Sequence, residues 1–288
     1  MIYESVINIS AGNSIAKYKN VVSCITSSES LINTHFDVDH NRAVFTFASH
    51  DFDLVKKGAK KLINSSFENI DIITHSGVHP QIGVVDVVPF VKYDESGSEI
   101  DYTNEVEFVN KVQDFAVNIN KEYDLPIFFY DYASKQHNSL PSVRKHCFSL
   151  IKPDLGKLFP NPRLGSMSLG IRHPLIAINV NLHTQKLDTA KMIAKKIRES
   201  SGGHLGVRAL GLSLSSQDMM QVSMNIFDIH KAKTDSICLE VRDLAEELNI
   251  KSDLELVGLI PKFHFETFSS EFIAWSNLDE ESTIEFHL

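Results

Sequence analysis

Several things are scarce or absent in this sequence of 288 residues, and each shortage removes a class of protein. Only three cysteines occur, Cys24, Cys147 and Cys238, far apart and with no Cys-x-x-Cys pair. An odd, scattered set argues against a disulfide framework and fits a reducing compartment. Neither a Gly-x-Gly-x-x-Gly fingerprint nor a Walker loop is present, and Gly202-Gly203 lacks the lysine and hydroxyl that a phosphate loop needs. No apolar run is long enough to span a bilayer; the best stretch, Val84 to Val91, is broken by Asp86 and Pro89. The start, Met1-Ile2-Tyr3-Glu4, has no basic region followed by an apolar one, so no secretory signal is expected and the chain is placed in the cytoplasm. Positive charge is short: 28 Lys+Arg against 37 Asp+Glu leave a net charge of −9. Such a surface repels phosphate backbones, so nucleic acid is not an expected partner, and with no spanning run a membrane is not expected either. An anionic small molecule can still be held where basic residues gather locally.

What is there reads as an ordinary globular chain, 43% hydrophobic and 23% charged, of a length suited to two domains. In the second half, Leu175 to Leu182 alternates and is β-rich. Leu187, Ala190, Ile193, Ala194 and Ile197 then fall on one helical stripe, ended by Ser201-Gly202-Gly203. Strands near 205–214 and 219–227 flank a polar turn at Ser215 to Asp218. A second helix is expected over 234–248 and a last strand over Leu254 to Ile260, stopped by Pro261. The order is β-α-β-β-α-β, the split motif of ferredoxin-like domains. The first half alternates too, with strands expected near 3–9, 43–49, 84–92 and 126–131 and helices near 14–26, 52–64 and 104–122. Residues 132–141 and 152–170 read as loops, and loops that long are functional or mobile.

Three segments carry chemistry. The densest runs from His75-Ser76-Gly77-Val78-His79-Pro80 to Asp86-Val87-Val88-Pro89-Phe90. His75 and His79 have the spacing of helical metal ligands, but Gly77 and Pro80 oppose a helix and no acidic residue follows His75, so no metal is expected. A Gly/Pro-constrained turn before an apolar strand instead presents His79 at the end of a sheet, where an imidazole can take and return a proton. The alternative for this residue is a buried, hydrogen-bonded histidine. The second segment, Asp37-Val38-Asp39-His40-Asn41-Arg42, offers carboxylates that could fix a histidine tautomer, or is an exposed polar turn. The third, Pro153 to Gly165 and on to Arg172, places Lys157, Arg163 and Arg172 among glycines and prolines; arginine's planar fork matches a carboxylate. No nucleophile signature accompanies Ser10 or Ser223.

Together these segments resemble the formiminotransferase domain of glutamate formiminotransferase. Ser5-Val6-Ile7-Asn8-Ile9-Ser10-Ala11-Gly12 is similar to the family's opening Cys-Val-Pro-Asn-Phe-Ser-Glu-Gly, and Asp39-His40-Asn41-Arg42 to its Asp-His-Asn-Arg turn. Gly77-Val78-His79-Pro80 through Phe90 resembles its Gly-Glu-His-Pro-Arg-Met-Gly-Ala-x-Asp-Val-x-Pro-Phe. Leu140-Pro141 with Arg144, Pro153-Asp154-Leu155-Gly156, Gly170-Ile171-Arg172, Asn179 to Leu182, Gln221 to Asn225 and Val257 to Pro261 continue the agreement in order. Family positions differ at Ile7, Ala11, Val78 and Gln81. No segment of these residues is left for a cyclodeaminase domain.

The resemblance implies an α+β fold of two ferredoxin-like α/β subdomains, residues 1–172 and 173–288, each a sheet with helices on one face. It implies transfer of a formimino group between N5 of tetrahydrofolate and the amino group of glutamate. The catalytic histidine of the family falls on His79, with Asp37 or Asp39 as its acidic partner. The folate-binding loop falls on Gly156, Lys157, Leu158, Phe159, Pro160, Asn161, Pro162, Arg163, Leu164 and Gly165. Arg42, Arg144 and Arg172, with Lys157 and Arg163, are candidates to pair with the carboxylates of glutamate and of folate's tail. A homodimer is expected from the family. Formyl transfer from 5-formyltetrahydrofolate, and a non-catalytic folate- or carboxylate-binding protein, fit the same residues.

Overall fold

The computed structural model describes residues 1–10, 15–37, 39, 41–74 and 81–288. These form two compact units, residues 1–94 with 98–172, and residues 95–97 with 173–288.

In the first unit the alternating N-terminal run forms β1 (Ile2–Ile9), followed by α1 (Ile15–Ile25), β2 (Leu31–Asp37), β3 (Arg42–Ser49), α2 (Phe52–Asn69) and β4 (Val85–Tyr93). These six elements are a β-α-β-β-α-β split motif whose strands lie antiparallel in the order β2-β3-β1-β4. The chain then adds α3 (Val106–Tyr123), β5 (Ile127–Asp131), α4 (Leu140–His146) and β6 (Met167–Ile171). β6 pairs parallel with β4, and β5 parallel with β6, which widens the sheet to six strands.

α2 shows why these residues form helices. Asp51 accepts the Asp53 N–H at 2.8 Å as an N-cap. Val55, Ala59, Leu62, Ile63 and Phe67 then recur on one buried stripe. Gly58 lets the helix approach so closely that a Cβ there would lie 2.6 Å from the Phe47 ring. The main core sits between the sheet and α1 to α3, where Ile7, Phe45, Phe47, Phe90 and Leu169 meet Val21, Leu62, Val112 and Ile119. Each such side chain contributes about 1.5–3 kcal/mol by leaving water. Alternate residues of the same strands point to the opposite face, where Val87, Phe128 and Tyr130 pack with Val143 of α4. The long helices thus cover one face, and the short α4 adds partial cover to the other.

Three elements of this unit depart from the sequence pattern. β2 has no expected counterpart, because Asn33, Thr34 and His35 interrupt any apolar alternation in a half-buried edge strand. α4 begins at the end of a segment expected to be loop; Ser139 caps it by accepting the Ser142 N–H, and Pro141 stands in its first turn. β6 begins inside the expected loop 152–170 and ends one residue past it, yet it is buried throughout. Its small residues have a reason: a Cβ on Gly170 would meet the Tyr130 ring at 2.4 Å.

The second unit contains β7 (Ile176–Leu182), α5 (Leu187–Ile197), β8 (Val207–Leu214), β9 (Met219–Ile226), α6 (Thr234–Glu247) and β10 (Ser252–Val257). Its four antiparallel strands lie in the order β10-β7-β9-β8, as a split β-α-β-β-α-β motif requires. Ile178, Val180, Val222 and Met224 pack against Ile193, Ile197, Ile237 and Val241 of the two helices. Short helices α7 (Lys262–Phe265) and α8 (Ser270–Ser276) close the chain. The three thiols are free, Cys24 exposed on α1, Cys147 half-buried at the end of α4, and Cys238 buried in α6. No described helix is long and apolar enough to cross a membrane.

Candidate functional site

Several residues singled out in the first half of the sequence gather at one end of the six-stranded sheet, while Arg172, whose N–H donates to Phe90 O, follows β6 at the other end. Register places Ile9 of β1 beside Ala43 of β3 and Val85 of β4, and Asp37 of β2 beside Arg42 of β3. Strand ends in α/β folds are where sites form. His79 and His40 lie outside the described residues. Asp39 stands half-buried in the turn before β3. Ser10 joins the end of β1 to the start of β4: its N–H donates to Val84 O at 2.8 Å, and its hydroxyl lies 2.7 Å from Gln81 Oε1 and 2.9 Å from Gly83 O.

Asp86, which the sequence showed as a break in an apolar run and as part of the motif shared with the family, but with no role assigned, is the centre of this region. Ile9 faces Val85 while Asn8 faces Val87, so Asp86 is an extra residue in β4. A bulge of this kind re-aims a side chain. The carboxylate is 1% exposed. Its Oδ1 accepts the Ile82 N–H at 2.9 Å. Its Oδ2 accepts from Arg42 Nη2 at 3.2 Å and from Arg144 Nη2 of α4. Burial, opposed by Asp86 and reinforced by Arg144, brings the Arg42 pKa down to about 10. Two of the four expected carboxylate-binding arginines therefore share one buried acid.

The expected folate loop is tied to both sides of the segment that holds His79. Arg163 O accepts the Ile72 N–H at 3.0 Å on one side. On the other, Leu164 O accepts the Val84 N–H at 2.9 Å and the Ser166 N–H donates to Ile82 O at 2.9 Å. The contact is as close as backbones allow: a Cβ on Gly83 would lie 1.9 Å from Ser166 O, and one on Gly165, at φ +75°, would lie 2.5 Å from Ile82 O. Asn161 shapes the turn, its Oδ1 accepting the Arg163 and Leu164 N–H groups at 3.0 Å each. At the other end, Asp154 accepts the Phe129 N–H at 2.7 Å and fixes the loop to β5; burial pushes its carboxyl pKa up. Between these anchors Leu158 and Phe159 stand 63% and 59% exposed, a pair of apolar side chains open to a ligand.

The basic residues of the loop divide by task. Arg163 Nη1 donates to Phe67 O at 2.5 Å and Ile70 O at 3.4 Å, so its guanidinium caps the carbonyl end of α2. Lys157 pairs with Asp124 on the surface. Arg172 follows β6, its backbone oxygen accepting the Tyr102 hydroxyl at 2.9 Å, and its charge lies near the Tyr130 phenol.

Sequence reasoning also missed Tyr130 and Ser168. Both are buried on the face of the sheet that carries the arginine pair; the Ser168 hydroxyl has no hydrogen-bond partner among the described residues, and the Tyr130 phenol faces the Arg172 guanidinium. Burial pushes the Tyr130 phenol well above its ordinary pKa, so it is a neutral donor. The missed signal was a polar residue within otherwise apolar strands.

Residues 2–172 match the formiminotransferase domain, N-terminal subdomain, and residues 177–286 match the formiminotransferase domain. A glutamate formimidoyltransferase of Streptococcus pyogenes serotype M1 is 34% identical over 277 residues, covering 90% of this chain and 89% of its own. A glutamate formimidoyltransferase of Thermoplasma acidophilum is 28% identical over 298 residues, covering 98% of this chain and 95% of its own. The formimidoyltransferase-cyclodeaminase of Rattus norvegicus is 28% identical over 278 residues, covering 90% of this chain and 50% of its own.

Proposed function

The chain belongs to the formiminotransferase domain family, and on that premise we propose that it transfers a formimino group between N5 of tetrahydrofolate and the amino group of glutamate. The observation that carries the reading is the backbone ladder from Arg163, Leu164 and Ser166 to Ile72, Ile82 and Val84. It holds the folate-loop segment against the flanks of the stretch containing His79. The likeness to a glutamate formimidoyltransferase over 90% of this chain supports the same reaction.

In the glutamate-accepting direction, His79 removes a proton from the glutamate ammonium. The freed amine adds to the formimino carbon, giving a tetrahedral intermediate. The carbon–N5 bond then breaks, and N5 takes the proton that the imidazolium returns, so one group serves as base and acid. Asp39 orients the ring in this scheme. Folate is a substrate here, and the exposed Leu158 and Phe159 offer apolar contact to it. Proximity of the two bound reactants supplies up to about 7–11 kcal/mol of the barrier reduction. A cytoplasmic homodimer working in histidine degradation completes this reading, and sedimentation checks its dimeric state.

His79→Ala should lower turnover by ~10²–10⁴ while folate binding, read by calorimetry, is retained. Turnover near the wild-type rate would remove His79 from the scheme. Running the assay with 5-formimino- and 5-formyltetrahydrofolate identifies the one-carbon unit carried.

A further inference from the structure

We propose that Asp86 is a positioning residue, which holds Arg144 together with Arg42 as a docking pair for a substrate carboxylate. The inference rests on the transferase reading only for the identity of that carboxylate.

The sheet itself does not need this acid. The run from Val84 to Val91 is otherwise apolar apart from Pro89, and a further apolar residue would extend the core without the cost of burying a charge. Instead β4 carries an inserted residue, and the insertion turns the Asp86 carboxylate toward α4. Three donors from three places in the chain then meet it: the Ile82 N–H, the Arg42 guanidinium and the Arg144 guanidinium. Such an arrangement fixes where an arginine fork points, which a surface ion pair does not.

Arg144 supplies the second observation. Its Nε is buried and has no hydrogen-bond partner among the described residues, while its Nη2 is held by Asp86. A charged donor left unmatched is costly, and it persists where a ligand supplies the acceptor. A carboxylate, with two oxygens and several lone pairs, is the ligand chemistry that fits. It has two sources, the amino-acid substrate and the glutamyl tail of folate. The contact between Asp86 and Ile82 also places the carboxylate site two residues from the segment that holds His79.

The test uses Arg144→Lys, which keeps the charge and loses the fork, and Asp86→Asn, which keeps the shape and loses the charge. Each should raise KM for one substrate by ~10–100-fold, the same substrate in both, with kcat within about threefold of wild type. A rise for glutamate assigns its carboxylate; a rise for the folate assigns its tail. The double variant should cost less than the product of the two single effects, because both act on one arrangement. Unchanged KM values for both substrates, or losses confined to kcat, would overturn the proposal. If Asp86→Asn fails to fold, Arg144→Lys and Arg42→Lys carry the same measurement. If the wild type transfers nothing, the transferase reading fails separately. Calorimetric titration of wild type and Arg144→Lys with L-glutamate and with 5-formyltetrahydrofolate then decides, equal affinities for both ligands overturning the docking pair.

Discussion

The two sheets share one motif and differ in the face that their motif helices leave uncovered. Both arrange their split-motif strands in the same antiparallel order, β2-β3-β1-β4 in one and β8-β9-β7-β10 in the other. In the second unit this face carries a polar network with few loose ends. Asn179 Nδ2 and Gln221 Nε2 donate to Glu255 Oε2 at 3.0 and 2.9 Å, and Asn181 Nδ2 donates to Asp253 Oδ1 at 2.9 Å. In the first unit it carries a buried acid between two arginines and the Ser168 hydroxyl, unmatched among the described residues. The extra pieces, β5, β6, α4 and the 156–165 loop, are all in the first unit. Shared topology thus says little about chemistry, which here sits on a bulge and on added segments.

Gly83→Ala should break this contrast most forcefully. The new methyl would meet backbone at Ser166, which cannot swing aside, so a loss of more than about 3 kcal/mol is expected. Hydrogen exchange should accelerate over residues 82–93 and 164–171 and stay unchanged over 176–257. Uniform acceleration would show that the two sheets are not energetically separate.

His264 sharpens the comparison from the other side. It is buried in the second unit, hydrogen-bonded through Nε2 to Thr234 Oγ1 at 2.9 Å, with Phe268 edge-on at 5.4 Å. Burial, with His230 nearby and Asp235 opposing, brings its pKa from 6.5 down to about 4. The unfolded chain therefore binds a proton that the folded one refuses. The stabilising contribution is complete above pH 6.5 and is lost as pH falls from 6.5 through about 4. Up to about 3 kcal/mol should disappear across that window, and His264→Gln should flatten the profile of melting temperature against pH.

Arg163→Ala should cost about 1–2 kcal/mol, from the lost cap on α2, with KM for glutamate unmoved. A large change in glutamate KM would transfer the carboxylate role to this residue. Lys157→Ala should change stability by less than about 0.5 kcal/mol, since its ion pair with Asp124 is exposed on both sides. Thermal melts are sufficient to read it.

Legibility followed periodicity. α2, α3, α5 and α6 were readable because their apolar residues recur every three or four positions and face one core. β6 was unreadable because its fit depends on a ring from another strand: Gly170 is required by Tyr130, and no local pattern records that. β2 failed because an edge strand needs little apolar surface. In the site, Arg42 and Arg144 were named as candidates, whereas Asp86, though part of the shared motif, was given no role. A lone acid within an apolar strand run was the available clue, and only tertiary structure shows that three donors answer it.

The cysteines, few as they are, sit at graded depth: Cys24 open on α1, Cys147 half-covered where α4 ends, Cys238 sealed in α6. Burial raises the pKa of the last two, which slows their reaction with electrophiles further. The molecule therefore carries native labelling positions in sequence of depth, and the middle one lies three residues from Arg144. Its alkylation rate reports how firmly α4 is seated, without any engineered probe.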